Sequence, residues 1–182
     1  MSTPAPPPPA TLILSILSAK WEAIWPGLTA RLENDFGPAD FVSDPLAFDH
    51  TGYYDQELGT PITRRILAFE RLVPQDDLAD IKLAANTVEN ELRDAGGRRI
   101  VNLDPGLISP ERLVLATGKN FTHRVYLGKG VFADLTLYYQ KGDWNALPWT
   151  FPDYNGPELR AILTQLRLRH LARRATAGDG PR

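Results

Sequence analysis

Cysteine is absent from the 182 residues, and histidine and methionine are rare, at three and one. A chain without cysteine has no disulfide, no thiolate zinc cluster and no thiol nucleophile. Three histidines exclude a histidine-rich metal site, whereas one histidine combined with carboxylates stays open. The sequence therefore predicts no metal site and indicates no cofactor. Its lack of cysteine is typical of a reducing compartment, so we expect a cytoplasmic protein.

An excess of one charge and a long apolar run are also missing. The net charge of -2 and the isoelectric point near 5.9 provide no broad basic surface for nucleic acid. The mostly apolar residues 12–17 are far fewer than the ~20 that a membrane helix needs. Residues 1–10 contain no Lys or Arg, unlike the start of a secretory signal. We expect neither a membrane segment nor a nucleic-acid partner.

Proline is concentrated at one end of the chain. Five of the sixteen prolines stand within residues 4–9, and proline favours an extended conformation without an amide donor. We therefore expect residues 1–10 to be a disordered tail. Residues 11–174 are long enough for one hydrophobic core and are predicted to form a single α+β domain. Residues 175–182 are predicted to be a second disordered tail.

Apolar periodicity predicts the elements of the first hundred residues. Strands are expected at residues 11–17, 40–43, 64–73 and 99–103, and helices at about 19–36 and from 74 to Gly96-Gly97. Pro26-Gly27 falls inside the first helix, which is either kinked there or begins there. The order β-α-β-β-α-β is typical of a ferredoxin-like core. Such a core would have helices mainly on one face of an antiparallel-rich sheet of five to seven strands.

The later residues predict an extension of this core. Residues 109–116 are predicted to form a short helix that begins at Ser109-Pro110. A C-terminal β-hairpin follows, and residues 143–156 read as a loop rich in proline and aromatic residues. The chain then closes with a helix from residue 157 to about residue 173.

The register of the hairpin follows from the alternating residues 131–139. A three-residue turn at residues 128–130 places apolar residues opposite each other, for example Leu127 opposite Val131. The same register makes Arg124 and Asp134 cross-strand neighbours, either as a structural ion pair or as a pair that orients the arginine toward a ligand. A two-residue turn is rejected because it would mix the apolar and polar faces.

Two residues are candidates for acid–base chemistry. Asp104 lies in the string Asn102-Leu103-Asp104-Pro105-Gly106, which is interpreted as a strand ending in a turn. A carboxylate there can act as a base, although Asp-Pro-Gly is also ordinary turn chemistry. His123 precedes the hairpin strand, where a histidine can shuttle a proton or simply bond to the backbone.

The candidate ligand-binding residues form a mixed set of cations, an acid and tyrosines. Arg124 and Lys129 could bind an anion, with Lys119 and Arg64 nearby. The long loop 44–61 contributes Tyr53 and Tyr54, which otherwise cover the sheet edge. We predict that these residues border one pocket: Asp104, His123, Arg124 and Lys129, with Tyr53 or Tyr54. Alternation opposes this for His123, because neighbouring strand residues face opposite sides.

A line of polar residues on the second predicted helix is a further feature. Lys82, Asn86 and Glu89 flank its apolar stripe at helical spacing. Such residues usually form a solvated border of the helix. They could instead reach over a sheet edge into a pocket.

Five strings, in this order along the chain, resemble a bacterial family known as the domain of unknown function numbered 4416. They are FERLV at 69–73, ADIKL at 79–83, NLDPG at 102–106, HRVYLGKG at 123–130 and LPWTFPDY at 147–154. The resemblance spans nearly the whole chain after the proline tail, and it implies no activity, ligand or catalytic residue. The proline-rich start, Pro26-Gly27 and the basic C-terminal tail depart from the family pattern.

Three functions compete at this point. The first is the binding or processing of an anionic, possibly phosphorylated, small molecule, and the sequence does not decide whether the protein is an enzyme. The second is a protein-interaction or oligomerisation domain that uses an open face or edge. The third is an RNA-binding module with Tyr126, Phe132 and Tyr138 as a stacking platform, which the acidic balance and Asp134 disfavour.

Overall fold

The computed structural model describes residues 3–176, which form a mixed α/β structure around one antiparallel sheet. The strands are β1 Ala10–Ser18, β2 Ala39–Val42, β3 Leu46–Ala47, β4 Thr63–Val73, β5 Asn102–Ile108, β6 Arg112–Thr117, β7 Arg124–Gly128, β8 Val131–Gln140 and β9 Asp143–Ala146. The helices are α1 Trp21–Phe36, α2 Asp55–Leu58, α3 Leu78–Glu91 and α4 Pro157–Thr176. Two 3-10 turns, Gln75–Asp77 and Pro152–Asn155, precede α3 and α4.

Within residues 3–176 the sheet has nine strands, which is more than the five to seven expected. Its main path runs β2-β4-β1-β5-β6-β8-β7, with β3 paired to β4 and β9 paired to β8. All the strand pairs are antiparallel. Three strands, β3, β6 and β9, were not predicted. Strands β3 and β9 are short and lie in segments predicted to be loops, where prolines and polar residues obscure the alternation typical of a strand.

Helices cover both faces of the sheet, which corrects the prediction that they lie mainly on one. Strand β1 is buried along its whole length. Its Leu12, Leu14 and Ile16 pack in one core with residues of α1 and α3. Its Ile13 belongs to a second core with Leu163 and other residues of α4. A strand covered on both faces has no polar alternation, as the sequence of β1 indicates.

The predicted helices around residues 19–36 and 74–95 are present, with differences at their ends. Pro26 lies within α1 without ending it, and the helix continues to Phe36. Helix α3 ends at Glu91, well before Gly96-Gly97. Gly97 instead occupies a turn closed by its N–H donating to the Asp94 carbonyl.

Two predictions about residues 99–116 are wrong. Asp104-Pro105-Gly106 does not form a turn at a strand end but lies inside β5, with Pro105 opposite Leu14 of β1. Residues 112–117 are strand β6 rather than a helix, so Ser109-Pro110-Glu111 is the turn of the β5–β6 hairpin. Local turn and capping preferences fit both alternatives, and pairing with β8 decides for the strand.

The predicted register of the β7–β8 hairpin is confirmed for Arg124 opposite Asp134. The turn itself differs, because Gly128 rather than Leu127 lies opposite Val131. The turn therefore has two residues, and an irregularity at Leu127 restores the alternation that a regular two-residue turn would break. Lys129 and the following glycine both adopt positive φ, at 55° and 78°, as two-residue hairpin turns require.

The secondary structure near the two ends of the chain differs in part from the predicted tails. Residues 3–9 contain no helix or strand, and Ala10 already belongs to β1. Ala175 and Thr176 continue α4, so the predicted C-terminal tail begins too early. The rest of that tail, and residues 1–2, lie outside the described residues. Within residues 3–176, no helix combines the length and apolarity needed to cross a bilayer.

Candidate functional site

The sheet opens between β5 and β6, and this opening creates a cleft among the described residues. The two strands pair at Gly106 opposite Leu115 and on toward the hairpin turn, but not at residues 102–105. Pro105 has no N–H, so the ladder toward β6 cannot continue through it. We call the resulting opening the β5–β6 cleft.

Two side chains of α3 replace the missing strand partner of β5. The Glu89 carboxylate accepts a hydrogen bond from the Leu103 N–H at 2.5 Å, and Lys82 Nζ donates to the Leu103 carbonyl at 2.8 Å. Helix α3 packs on one face of the sheet, and these side chains enter the cleft through the gap. A buried backbone N–H or C=O without a hydrogen-bond partner would destabilise the fold. Lys82 and Glu89 supply these partners, so β5 can part from β6 with little loss of stability.

The cleft has a volume of about 580 Å³, within the range of small-molecule sites. Its walls include the open ends of β5 and β6, helix α3, the loop around residues 48–54 and the segment 151–154. Strands β1, β4, β7 and β8 and the residue Arg99 also contribute side chains. Residues far apart in the sequence therefore meet in one place.

A row of charged and polar residues crosses the sheet on the face that borders the β5–β6 cleft. Arg64 of β4 and Asn102 of β5 both lie opposite Leu17 of β1. Asp134 of β8 lies opposite Arg124 of β7, and the register through β6 puts this pair on the same face. Directly opposed strand residues share a face. This row places one arginine at each end of the cleft.

At the β4 end, Arg64 is almost fully buried. Its Nη2 forms an ion pair of 2.6 Å with Asp153, whose segment precedes α4. The guanidinium lies 4.6 Å from the ring centre of Tyr154 and 5.1 Å from that of Phe48. Arg64 Nε is buried and has no hydrogen-bond partner among residues 3–176. The arginine is thus held in place while part of its donor capacity stays unused.

At the β7 end, Arg124 and Lys119 lie together. Arg124 Nε donates to Asp134 at 2.8 Å, and its Nη1 donates to the Lys119 carbonyl at 3.0 Å. The Lys119 ammonium is 3.0 Å from the Tyr53 hydroxyl and 4.4 Å from its ring centre. Tyr53 therefore links the long loop to the mouth of the cleft.

The middle of the cleft contains a network in which the cations are already bonded. Arg99 uses two nitrogens on Glu57, at 2.6 and 2.8 Å, and its third on Glu89 at 2.6 Å. Lys82 also donates to Asp104 at 3.2 Å, and Asn102 donates to the other Asp104 oxygen at 2.7 Å. Every nitrogen of Arg99 is thus already bonded to a carboxylate, whereas Asp104 stays one-third exposed.

Burial changes the protonation behaviour of several cleft residues. It raises the pKa of the Glu89 carboxyl, against the opposing effects of Lys82 and the Leu103 N–H. It also raises the pKa of the Tyr154 hydroxyl to about 12 and raises that of Tyr54. Hydrogen bonds from Arg99 lower the pKa of Glu57. The tyrosines therefore stay protonated donors near neutral pH, and Glu89 protonates more readily than Glu57.

Four of the six predicted site residues line the cleft together. They are Asp104, Arg124, Tyr53 and Tyr54. Asp104 belongs there because β5 continues past it, and not because it ends a strand. The line of Lys82, Asn86 and Glu89 also reaches the cleft, which was the alternative to a solvated border.

The prediction that His123 and Lys129 border the same pocket is wrong. His123 lies behind Asp134, with Nε2 3.2 Å from its carboxylate, and its ring stacks on Trp149 at 4.9 Å. Lys129 sits at the hairpin tip and pairs with Asp80 on the surface at 2.5 Å. His123 precedes β7 and shares Asp134 Oδ2 with Arg124, but it is not among the residues that line the cleft. Lys129 lies at the far end of β7, in the hairpin turn.

Three residues that matter to the cleft were missed. Arg99 and Asp153 line it, and Glu57 holds Arg99 from outside. Asp153 and Glu57 lie in segments predicted to be loops, where no periodicity marks the side that faces the core. Arg99 offered one signal, an arginine immediately before the apolar residues 100–101. Within residues 3–176, no group of three or more His, Asp or Glu is arranged to hold a metal ion.

Comparison with protein-family models matches residues 8–170 to a family described as a domain of unknown function (DUF4416). Comparison with curated proteins and with solved structures finds no match. The matched segment includes every strand of the sheet and all the residues that line the cleft. Since it covers far more than half of the 182 residues, the chain belongs to the DUF4416 family.

Proposed function

We propose that the protein binds an anionic small molecule, through a carboxylate or phosphate group, in the β5–β6 cleft. One observation carries this proposal. Arg64 and Arg124 are both nearly buried and line the same cleft. Arg64 Nε has no hydrogen-bond partner among residues 3–176, and Arg124 bonds there through Nε and Nη1 and leaves Nη2 for a ligand. Guanidinium groups bind carboxylates and phosphates through paired N–H donors.

The contrast with Arg99 supports a binding role for the other two arginines. All three nitrogens of Arg99 are bonded to carboxylates, as is typical of a structural arginine. Arg64 has only one bonded nitrogen, and Arg124 has two. A buried donor without a partner costs about 1–3 kcal/mol, and such groups are often retained for a ligand. A bound anion would supply the acceptors that these arginines lack.

Chemical processing of the ligand is a further part of the proposal. Asp104 is the carboxylate best placed for proton transfer, since it is partly exposed in the cleft and Lys82 and Asn102 orient its two oxygens. Glu89 is fully engaged with the Leu103 N–H and Arg99. His123 is not proposed as a catalytic residue, because it lies outside the cleft.

We also infer that β1, α1, β2, β4, α3 and β5 form a ferredoxin-like core. The spatial order β5-β1-β4-β2, with α1 and α3 in one core layer, supports this. The later strands would then be an extension of that core. The lack of cysteine supports a reducing, cytoplasmic location, and the resemblance to a bacterial family supports a bacterial source.

A thermal-shift experiment with small anions tests the proposed binding. We expect inorganic phosphate or citrate, at constant ionic strength, to raise the melting temperature of the protein. Arg124→Gln and Arg64→Gln should each reduce that rise. The matched control is Arg98→Gln, which removes an exposed arginine paired with Asp94 and should leave the rise unchanged. Equal shifts in all the proteins, or no shift in any, would contradict the proposal.

Self-association through the edge strand β7 is a second candidate function. Val125, Tyr126 and Leu127 are exposed there, at 66%, 61% and 42%, and an edge strand offers unpaired backbone groups to a second copy. Light scattering over a concentration series tests this, with Val125→Lys as the variant that should prevent pairing. A monomer at all concentrations would exclude it.

A further inference from the structure

We infer that the ligand of the β5–β6 cleft is an elongated molecule with an anionic group at each end and a polar, uncharged or hydroxyl-bearing middle. This inference rests on the proposed function and adds the shape and charge distribution of the ligand. The unused donors of the arginines lie at the two ends of the cleft, whereas the cations in its middle are already bonded to carboxylates.

The two available arginines are far apart along the sheet. Arg64 is on β4 and Arg124 on β7, and β1, β5, β6 and β8 lie between them. Neighbouring strands are about 4.8 Å apart, so the two backbones are separated by roughly 24 Å along the sheet. One phosphate or carboxylate cannot contact both arginines.

Each guanidinium is also prevented from moving toward the other. Arg64 is tied to Asp153 and packed against the rings of Phe48 and Tyr154. Arg124 is tied to Asp134 and to the Lys119 carbonyl. A ligand must therefore reach both ends, since neither arginine can leave its carboxylate without losing a nearly buried ion pair. At the β7 end, the Lys119 ammonium adds a second positive charge.

The middle of the cleft is unsuited to an anionic group. Arg99 already faces two carboxylates, Glu57 and Glu89, and Lys82 faces Asp104. Glu89 and Asp104 in the cleft wall, with Glu57 outside it, therefore already neutralise both cations, which leaves no free positive charge for an anionic group there. The exposed part of Asp104 instead accepts hydrogen bonds, and Asn86 adds an amide at the same wall. Hydroxyl groups on the ligand match these partners.

The volume of the cleft fits this shape. At about 580 Å³ it exceeds what a single small anion fills and is typical of sites that hold a whole metabolite-sized molecule. The aromatic rings of Phe48, Tyr54 and Phe151 line it as well and would pack on the carbon skeleton.

A length series of α,ω-dicarboxylates tests the inference by titration calorimetry on the full chain. The probes run from oxalate through succinate, adipate and suberate to dodecanedioate, each compared with the monocarboxylate of the same length. We expect affinity to rise to a maximum in the longer members. At that maximum the dicarboxylate should bind about tenfold or more tightly than its monocarboxylate, the effect of one additional charged contact.

Variants locate the two ends of the ligand. Arg64→Gln and Arg124→Gln should each lower the affinity of the best dicarboxylate to that of its monocarboxylate, while Arg98→Gln should not. Arg64→Lys and Arg124→Lys retain the charge and guard against unfolding of the Gln variants. They should bind with intermediate affinity, because lysine cannot donate in a bidentate manner.

The outcomes separate this inference from the proposed function. If dicarboxylates of every length bind no better than their monocarboxylates, or if only one arginine matters, the two-ended ligand is refuted and anion binding stands. If neither inorganic phosphate nor any carboxylate binds, both fail.

Discussion

Pro105 and Gly106 are neighbours in β5 with different effects on the sheet. Pro105 cannot donate a hydrogen bond toward β6 and stands where the two strands part. Gly106 stands where they still pair, and the absence of a side chain lets Leu115 approach its backbone. Two adjacent residues thus decide where the cleft begins.

Gly106→Ala should destabilise the protein at this boundary. A Cβ at residue 106 would lie 2.6 Å from Leu115 Cδ2 and 3.1 Å from the Val114 carbonyl oxygen. Overpacking of this kind costs about 1–3 kcal/mol of the free energy of unfolding, measurable by urea denaturation. Gly27→Ala is the control, since its Cβ would meet nothing within 4 Å and alanine favours the helix. Equal stability of the two variants would contradict this reading of Gly106.

His170 should make stability depend on pH. The residue is fully buried, with Nδ1 3.1 Å from the Thr11 hydroxyl. Burial, aided by Arg174 and Arg173 and opposed by Glu111, lowers its pKa from 6.5 to about 4. The unfolded chain therefore binds a proton first as the pH falls. The stabilising contribution of neutral His170 is present above pH 6.5 and is lost as the pH falls toward about 4.

The loss should reach about 3 kcal/mol at about 1.4 kcal/mol per pKa unit. Urea unfolding of His170→Gln across this pH range should show a smaller acid-induced decrease than the wild type. His50→Gln removes an exposed histidine and should keep the wild-type slope. Parallel curves for wild type and His170→Gln would exclude His170 as the source.

At the scale of elements, α3 acts as a partner for a strand that lies beside it in space. Its apolar residues Ile81, Ala85 and Val88 pack into the core. Its Lys82 and Glu89 complete the backbone bonding of Leu103. The helix therefore stabilises the sheet twice, through burial and through the bonds that β6 does not make.

Glu89→Ala should loosen β5 at one residue. The Leu103 N–H would lose its acceptor, so we expect its amide to exchange with solvent much faster, as measured by NMR hydrogen exchange. An unsatisfied buried donor also costs about 1–3 kcal/mol of stability. Glu91→Ala removes a half-exposed carboxylate of α3 that pairs with Arg31 of α1, and should change neither the exchange at Leu103 nor the stability. Unchanged exchange at Leu103 in Glu89→Ala would mean that another group bonds this amide.

The sequence predicts these elements well where the pattern is local. Alternation along β8 was sufficient to place Arg124 opposite Asp134. Alternation did not predict that β5 continues through Asp104. The string Asp-Pro-Gly is suited equally to a turn and to a strand whose pairing on one side stops at the proline. The strand is decided by β1 alongside it. Arg64 and Arg99 come together only through that pairing, so no spacing in the sequence relates them.

On the scale of the whole molecule, β1 is shared by two cores. Leu28 of α1 and Leu163 of α4 are both nearly fully buried and lie in different cores on opposite faces of the sheet. A strand common to both cores couples them, because neither core can lose β1 alone.

Leu28→Ala and Leu163→Ala should therefore destabilise the protein as a unit, each by about 2–5 kcal/mol. Trp144 reports the α4 core, and Trp21 and Trp25 report the α1 side. We expect tryptophan fluorescence and circular dichroism to give coincident unfolding transitions in both variants. Two separated transitions, or a change confined to one core, would indicate that the layers unfold independently and would refute the single domain.

The β5–β6 cleft also lies between two consecutive segments of the chain. Residues 10–108 contain β1 to β5 with Arg64, and residues 112–146 contain β6 to β9 with Arg124. Between these halves, the β5–β6 ladder consists of only the three pairs from Gly106 to Ile108. Helix α4 contacts β1 and β5 in the first half and β9 in the second, and so connects the two halves. A molecule bound to both arginines would connect the two halves a second time, on the side where β5 and β6 part. It would therefore resist a force that separates the halves.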